Sequence, residues 1–242
     1  MKSKKKYAEK FVGITPKDYE ELEDRHKKVL DIFSRYKFER ILDVGCGDGN
    51  FSVLLKEACK AKEVYGIEIS EKGAEMARKN GVKCYQLDVD EEDFPFEDNY
   101  FDAVTAFEII EHLFDPDHFL EEVYRVLKSN GIFVLSTPNL ASIHNRIALL
   151  FGYQPFSVMV SLNNSVRHLG FSAGGAAPDH IRFFTLRSLK ELLEIHKFEI
   201  LKVKGSCAML LEDKLFKAVD KVFAVFAGLS YRVVVICQKG GI

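Results

Sequence analysis

Three glycines punctuate the run from Ile41 to Asn50 (ILDVGCGDGN), at positions 45, 47 and 49, where an apolar strand signal gives way to a helical one. Glycine there lets the chain turn sharply and lets a ligand approach bare main chain. The helix that follows presents unpaired amides in its first turn. Glu68 closes the next apolar run, and an acid at that place suits the two hydroxyls of a ribose. Asp88 closes the third run, within reach of an adenine edge. Three successive strand ends therefore face one crevice, the place where open α/β sheets bind ligands.

A dinucleotide fingerprint would need glycine at position 50, but Asn50 stands there and Gly49 comes one place early. Asp43 precedes the first glycine by two residues. A carboxylate there repels a pyrophosphate and suits an ammonium or a sulfonium at short range. Both features count against a nicotinamide-dependent oxidoreductase, the first alternative to be weighed. A cofactor-binding module of the same fold without catalysis is the second. Cys46 reads as a small packing residue, since nothing basic nearby would activate its thiol.

The elements that must position these residues alternate between strand and helix. Strands are expected at 40–44, 63–68, 82–87, 101–107 and 132–136, with helices between them, one of them running from the Asp115–Pro116 cap to a stop at Asn130–Gly131. Such alternation means a parallel sheet covered on both faces. Before it, Thr15 and Pro16 mark a helix start, and Tyr19, Leu22, His26, Val29, Leu30 and Phe33 form one apolar face. After it, residues 138–180 lose the period and carry Gly152, Pro155, Gly170 and Pro178. That stretch is the candidate lid. Regular structure resumes at Thr185, with closing strands near 198–204 and 231–238. Between those strands, Phe216, Val219, Val222, Phe223 and Phe226 are expected in the core, with a membrane face or a partner subunit as the alternative.

The chain has 242 residues, 47% apolar and 29% charged, as in a globular protein. It reads as one domain over 1–242: a helical segment to 37, a cofactor core over 38–137, the lid over 138–180, and the rest of the sheet over 181–242. A balance of 34 basic against 36 acidic residues argues against a broad grip on nucleic acid. Five cysteines without a CxxC pair argue against a disulfide framework. No stretch matches an export signal or a membrane span, so a cytoplasmic location is expected. A homodimer is compatible with the sequence.

The motifs LDVGCGDG (42–49), GIEI (66–69), Asp88 with Val89, Phe101 with Asp102, EHL (111–113) and the Leu127-Lys128 to Gly131 spacing resemble class I S-adenosylmethionine-dependent methyltransferases. The resemblance covers residues 38–137 and is greatest to small-molecule O-methyltransferases of the quinone-biosynthesis type. It implies a Rossmann-like, doubly wound α/β sheet of seven strands, mostly parallel with the last antiparallel, and helices on both faces. It also implies that Asp43, Gly45, Cys46 and Gly47 hold the methionine part of S-adenosylmethionine. Glu68 and Ile69 would hold the ribose, Asp88 and Val89 the adenine, and Phe107 would line the site. By the same resemblance the acceptor is a small molecule methylated on a hydroxyl oxygen, and a lid rich in Ile, Leu, Phe and Val with few acids suits an apolar or aromatic one.

In the quinone-type enzymes and in small-RNA 2′-O-methyltransferases, a similar Glu-x-x-Glu-His run carries a divalent metal. By that resemblance Glu108, Glu111 and His112 are candidate ligands of Mg²⁺, which would lower the pKa of the acceptor hydroxyl. The alternative is a metal-free site in which His112 shapes the pocket or acts as base. Within the lid, His144, Arg146, His168, His180 and Arg182 carry candidate chemistry. His180 is the preferred base among them, because 179–184 returns the chain to the sheet.

Overall fold

The computed structural model describes residues 19–158, 160–161, 180–207 and 220–240. Seven strands, β1 (Arg40–Val44), β2 (Glu63–Glu68), β3 (Lys83–Gln86), β4 (Phe101–Phe107), β5 (Leu127–Pro138), β6 (Phe198–Ser206) and β7 (Arg232–Lys239), form one sheet in the order β3-β2-β1-β4-β5-β7-β6. β7 runs antiparallel to both β5 and β6, and the pairs from β3 to β5 are parallel. The chain winds outward from β1 to β3, then crosses to β4. The switch point lies between β1 and β4, where a crevice opens at the carboxyl ends of the strands.

Helices α1 (Asp24–Phe33), α2 (Asn50–Ala58), α3 (Glu71–Lys79), α4 (Pro116–Val126), α5 (Ile143–Leu150) and α6 (Leu186–Ile195) accompany the sheet, and residues 220–224 are also helical. Strand alternation divides the core in two. Leu42, Val44, Phe133, Leu135, Val233 and Val235 pack one face under α4 and α6. Ile41, Val134, Val234 and Ile236 pack the other under α1, α2 and α3. Capping fixes where helices start: Ser70 accepts from Gly73 N–H, Asp115 from His118 N–H, and Thr185 with Ser188 forms a reciprocal box.

Three expectations are corrected. The helix after Asp115 ends at Val126 rather than at Asn130. Leu127 is drawn into the sheet opposite Phe101, Tyr100 N–H donates to Val126 O (2.8 Å), and the register shifts before Ala103. At the start of the chain, Tyr19–Glu21 is a single 3₁₀ turn with Tyr19 exposed, and α1 begins at Asp24; Thr15 and Pro16 lie outside the described residues. In the segment near 220, Val222 and Phe226 are exposed instead of buried, while Asp220 and Ala224 turn inward. Phe216 and Val219 lie outside the described residues.

Part of the lid stretch is helical. Ser142 caps α5 by accepting from Asn145 N–H. Its inward residues are Asn145 and Ala148, while Ile147, Leu149 and Leu150 face outward. An inverted pattern of that kind has no apolar period pointing at the core, which is why periodicity missed it.

Candidate functional site

The glycine loop is built to leave room. Gly45, Gly47 and Gly49 have φ of 73°, 55° and 77°, a region that favours glycine. The Gly45 and Cys46 amides both donate to Ile67 O (2.8 and 3.1 Å), folding the turn over the end of β2. A Cβ at 45 would stand 2.2 Å from Ile109 Cδ1, and one at 49 would stand 2.9 Å from Ala77 Cα. A Cβ at 47 meets nothing within 4 Å. The space over Gly47 is open, and any side chain there would occupy it.

Two acids flank that space. Asp43 is buried, with its Oδ2 accepting from the Ser52 hydroxyl (2.6 Å) and its Oδ1 from the Thr105 hydroxyl (2.7 Å). Burial pushes its pKa up to about 6 against those two hydrogen bonds. Glu68 accepts from Gly47 N–H at Oε2 and from Ser70 N–H at Oε1, both 2.9 Å, and burial raises its pKa. The Cys46 and Cys84 sulfurs meet at 3.5 Å over Gly66, where a Cβ would come 2.5 Å from Cys46 Sγ. The hydrogen bond to Cys84 and burial raise the Cys46 thiol well above its usual value, as fits a packed group.

The adenine-side residues follow β3. Leu87 N–H donates to Glu68 O (3.2 Å), which sets Asp88 beside the end of β2. Asp88 Oδ1 accepts from Asp90 N–H (3.0 Å), and Val89 packs against the core. Glu91, Glu92 and Asp93 are exposed. Asp90 accepts from the Phe114 and Asp115 amides (2.8 and 3.0 Å) and ties this turn to the start of α4. At the end of β4, Phe107 meets Phe51 edge-on with centroids 5.3 Å apart, and His26 of α1 lies 4.4 Å from Phe51. Burial and the adjacent Arg25 lower the His26 pKa to about 3, so this imidazole is neutral.

Glu108 and Glu111 take different surroundings. Glu108 has φ of 56°, a strained position for a residue with a side chain. Its Oε2 accepts from Arg232 Nε (2.8 Å), and its Oε1 faces Arg25 Nη1 (3.2 Å) and accepts from the Ser136 hydroxyl (2.9 Å). Burial alone would raise its pKa, but Arg232 and Arg25 bring it down to about 2. Glu111 Oε2 accepts from the Thr137 hydroxyl (2.9 Å), while Oε1 is buried with no hydrogen-bond partner among the described residues.

The structure joins Glu111 to His112 and His180, with one donor atom of each within 4.8 Å of the others. The two imidazoles lie 4.8 Å apart. Ile181 and Arg182 amides donate to Glu111 O (2.9 and 3.0 Å), which holds His180 in place. His180 Nδ1 lies 3.1 Å from Ser157 O, and its Nε2 lies 3.9 Å from Glu111 Oε1. Burial and then His112 lower the His180 pKa to about 4. Glu111, Pro138, Leu140, Ser157, His180, Arg182, Phe183 and Phe184 line a narrow cleft here, too tight as it stands to admit a water molecule.

Of the other lid candidates, His144 and Arg146 go elsewhere, while Arg182 lines the same cleft. His144 Nε2 faces Asp220 Oδ1 (3.6 Å), Arg146 Nε donates to Ala141 O (2.7 Å), and Arg182 Nη2 donates to Phe114 O (2.5 Å). His168 lies outside the described residues. Sequence reasoning passed over Ser52, Thr105, Arg25 and Arg232, all of which act on the site acids from separate elements. The alignment of Asp43 with Thr105 on neighbouring strands was the one available signal.

Comparison with known proteins identifies the family and the fold. The family model described as a methyltransferase domain matches residues 17–203. A probable S-adenosylmethionine-dependent methyltransferase of Mycobacterium tuberculosis is 32% identical over 116 residues, covering 48% of this chain and 42% of that protein. A ubiquinone biosynthesis O-methyltransferase of Pelagibacter ubique is 34% identical over 105 residues, covering 41% and 42%. The chain spans about half the length of the curated relatives it matches. A methyltransferase structure from Archaeoglobus fulgidus superposes with a TM-score of 0.58 at 20% identity over 89% of this chain and 91% of that one, a likeness of fold. With most of its length matched by that model, this chain belongs to the methyltransferase-domain family.

Proposed function

We propose that the chain transfers a methyl group from S-adenosylmethionine to a hydroxyl oxygen of a small apolar or aromatic acceptor. The observation that carries this is the pairing of an open, acid-flanked glycine cradle after β1 with the Glu111, His112 and His180 group after β4, the neighbour of β1 in the sheet. The cradle fits that cofactor: Gly47 leaves the space, Asp43 suits its ammonium, and Glu68 suits a ribose. Asp43, Gly45, Cys46 and Gly47 would hold the methionine part, Glu68 and Ile69 the ribose, and Asp88 and Val89 the adenine, with Phe107 as a wall. When bound, S-adenosylmethionine supplies an electrophilic methyl group carried on sulfur.

The protein's part is alignment, exclusion of water and removal of the hydroxyl proton. His180 Nδ1–H donates to Ser157 O, which leaves the Nε2 lone pair facing Glu111 and the cleft. That lone pair takes the acceptor's proton, and His112 orients the hydroxyl beside it. Pro138, Leu140, Phe183 and Phe184 give the cleft an apolar wall with Arg182 beside it, and admitting an acceptor requires that wall to move. The His180→Asn variant is expected to lower kcat by about 10²- to 10⁴-fold. Affinity for S-adenosylhomocysteine should stay unchanged by calorimetry; an equal loss of cofactor affinity would show that His180 belongs to the cradle.

The grouped donors favour a second reading. Glu111, His112 and His180 fit a divalent metal better than the trio with Glu108, whose oxygens are already held by Arg232, Arg25 and Ser136. Two imidazoles suit a borderline ion such as Zn²⁺ or Fe²⁺ better than Mg²⁺. A metal there would polarise the acceptor hydroxyl. Calorimetric titration of chelator-treated protein with each ion tests it, and an absence of binding heat with activity retained removes the metal.

Ionisation of Asp43 is expected to govern cofactor affinity. Its carboxyl carries charge above about pH 6 and loses it below. Attraction for a cationic cofactor is therefore present above that pH and fades as pH falls through it. Kd for S-adenosylmethionine is expected to rise about tenfold between pH 7 and pH 5. The Asp43→Asn variant should bind weakly with a flat profile. The function itself is tested by supplying labelled cofactor with phenols, catechols and matched amines. Label on oxygen supports the assignment, and label only on nitrogen overturns it.

A further inference from the structure

We propose that α5 and the segment 220–229 together form a face that lies on an anionic lipid bilayer. This goes beyond the transfer reaction and does not depend on the acceptor. On α5 the large apolar side chains point outward: Ile147, Leu149, Leu150 and Phe151 are exposed, Leu150 by 78% and Phe151 by 67%. The segment near 220 repeats the arrangement, with Val222, Val225 and Phe226 outward and Val225 exposed by 77%. Contiguous apolar surface of this kind is uncommon unless something covers it.

The two elements are tied to one another and to the cleft. Ile143 N–H donates to Leu229 O (2.9 Å), and the His144 imidazole faces both Asp220 (3.6 Å) and the Tyr231 ring (centroids 5.7 Å apart). Past α5 the chain turns back: Phe156 N–H donates to Asn145 Oδ1 (2.8 Å), and Ser157 O meets His180 Nδ1. The inward side of α5 is thus linked through Asn145, Phe156 and Ser157 to His180.

Charge identifies the covering surface. The sequence has no aspartate or glutamate between Glu122 and Asp179. Between Asp213 and Lys239 its single acid is Asp220, and that side chain is buried. Arg146 and Lys221 are exposed on this face, although the chain as a whole carries −2. A two-fold pairing of α5 and 220–229 with a second copy would set like charges against each other, with no exposed acid among the described residues of these two segments to pair them. A bilayer bearing anionic headgroups offers an apolar interior for the side chains and countercharge for the cations. No helix among the described residues is long and apolar enough to cross a membrane, so the contact is one of lying on the surface.

The test is flotation of the full chain with vesicles of phosphatidylcholine alone and of phosphatidylcholine mixed with phosphatidylglycerol. Recruitment to the mixed vesicles is expected to exceed that to the neutral ones at least tenfold and to weaken with added salt. The double variant Leu150→Glu with Val225→Glu should lose recruitment at least tenfold while keeping S-adenosylhomocysteine affinity and thermal midpoint. Should that variant fail to fold, Arg146→Glu with Lys221→Glu should lose the preference for the charged vesicles. Wild-type protein that stays in the aqueous phase with both vesicle types overturns the proposal. So does a dimer by light scattering that these variants convert to monomer.

Discussion

Replacing Glu68 by Ala is expected to weaken binding of S-adenosylmethionine and S-adenosylhomocysteine by two to four powers of ten. The carboxylate closes β2 at the rim of the Gly47 cradle, and each of its oxygens already takes one backbone amide, from Gly47 and Ser70. Each oxygen has a second lone pair for a ribose hydroxyl. Hydrogen bonds to a charged group contribute about 1.5–3 kcal/mol each, and two of them convert to that loss of affinity. Burial strengthens the effect, since water competes poorly for the carboxylate there. The alanine variant also frees the Gly47 amide, so part of the loss reflects a loosened loop. Glu68→Gln separates the two: it keeps one acceptor oxygen and should fall between wild type and alanine. Calorimetry with S-adenosylhomocysteine reads the affinities, and thermal unfolding reads the loop. A loss under tenfold in the folded alanine variant would mean that the ribose is held elsewhere.

The cradle was legible because its chemistry is local. Glycine spacing, the acid before it and the acid ending the next strand lie within one strand–helix–strand unit. β1, β2 and β4 begin and end where their apolar runs do, because central parallel strands are buried on both faces and leave no ambiguous period. Partners that arrive from distant elements leave no such trace. Arg25 sits on α1 and Arg232 on β7, yet both converge on Glu108 at the end of β4. That convergence diverts Glu108 from the trio in which its spacing placed it, and His180 takes the vacant position beside Glu111 and His112. The outward apolar side chains of α5 escaped for the opposite reason. Patterning assumes that apolar means inward, and here the inward residues are an asparagine and an alanine.

Replacing Arg232 by Met is expected to cost about 3–5 kcal/mol of folding stability, because it strands a buried carboxylate. Arg232 donates to Glu108 at 2.8 Å and faces Glu23 at 3.4 Å, and Arg25 faces the same two acids at 3.2 and 3.0 Å. Two cations and two anions thus tie the start of α1 to β7 across the end of β4. The network matters less for net attraction than for mutual neutralisation. Desolvating each ion is expensive, and the partner offsets that cost only while it is present. With Arg232 gone, Arg25 must serve both acids from the far side of the cluster, and Glu108 loses its shortest charged contact. Glu108→Gln should cost less, because Arg232 keeps Glu23. Combining Arg232→Met with Glu108→Gln removes the stranded charge, so the double variant should be more stable than Arg232→Met alone. Urea unfolding of the four proteins in this cycle gives the coupling directly. Additive losses would show the two side chains to be energetically independent. The pH dependence has a fixed sign: Glu108 is held near pKa 2 in the fold against about 4.5 when unfolded. Its contribution is therefore complete above about pH 4.5 and disappears as pH falls toward 2. The Arg232→Met variant should show a shallower acid loss than wild type over that window, since less of that stabilisation is left to lose.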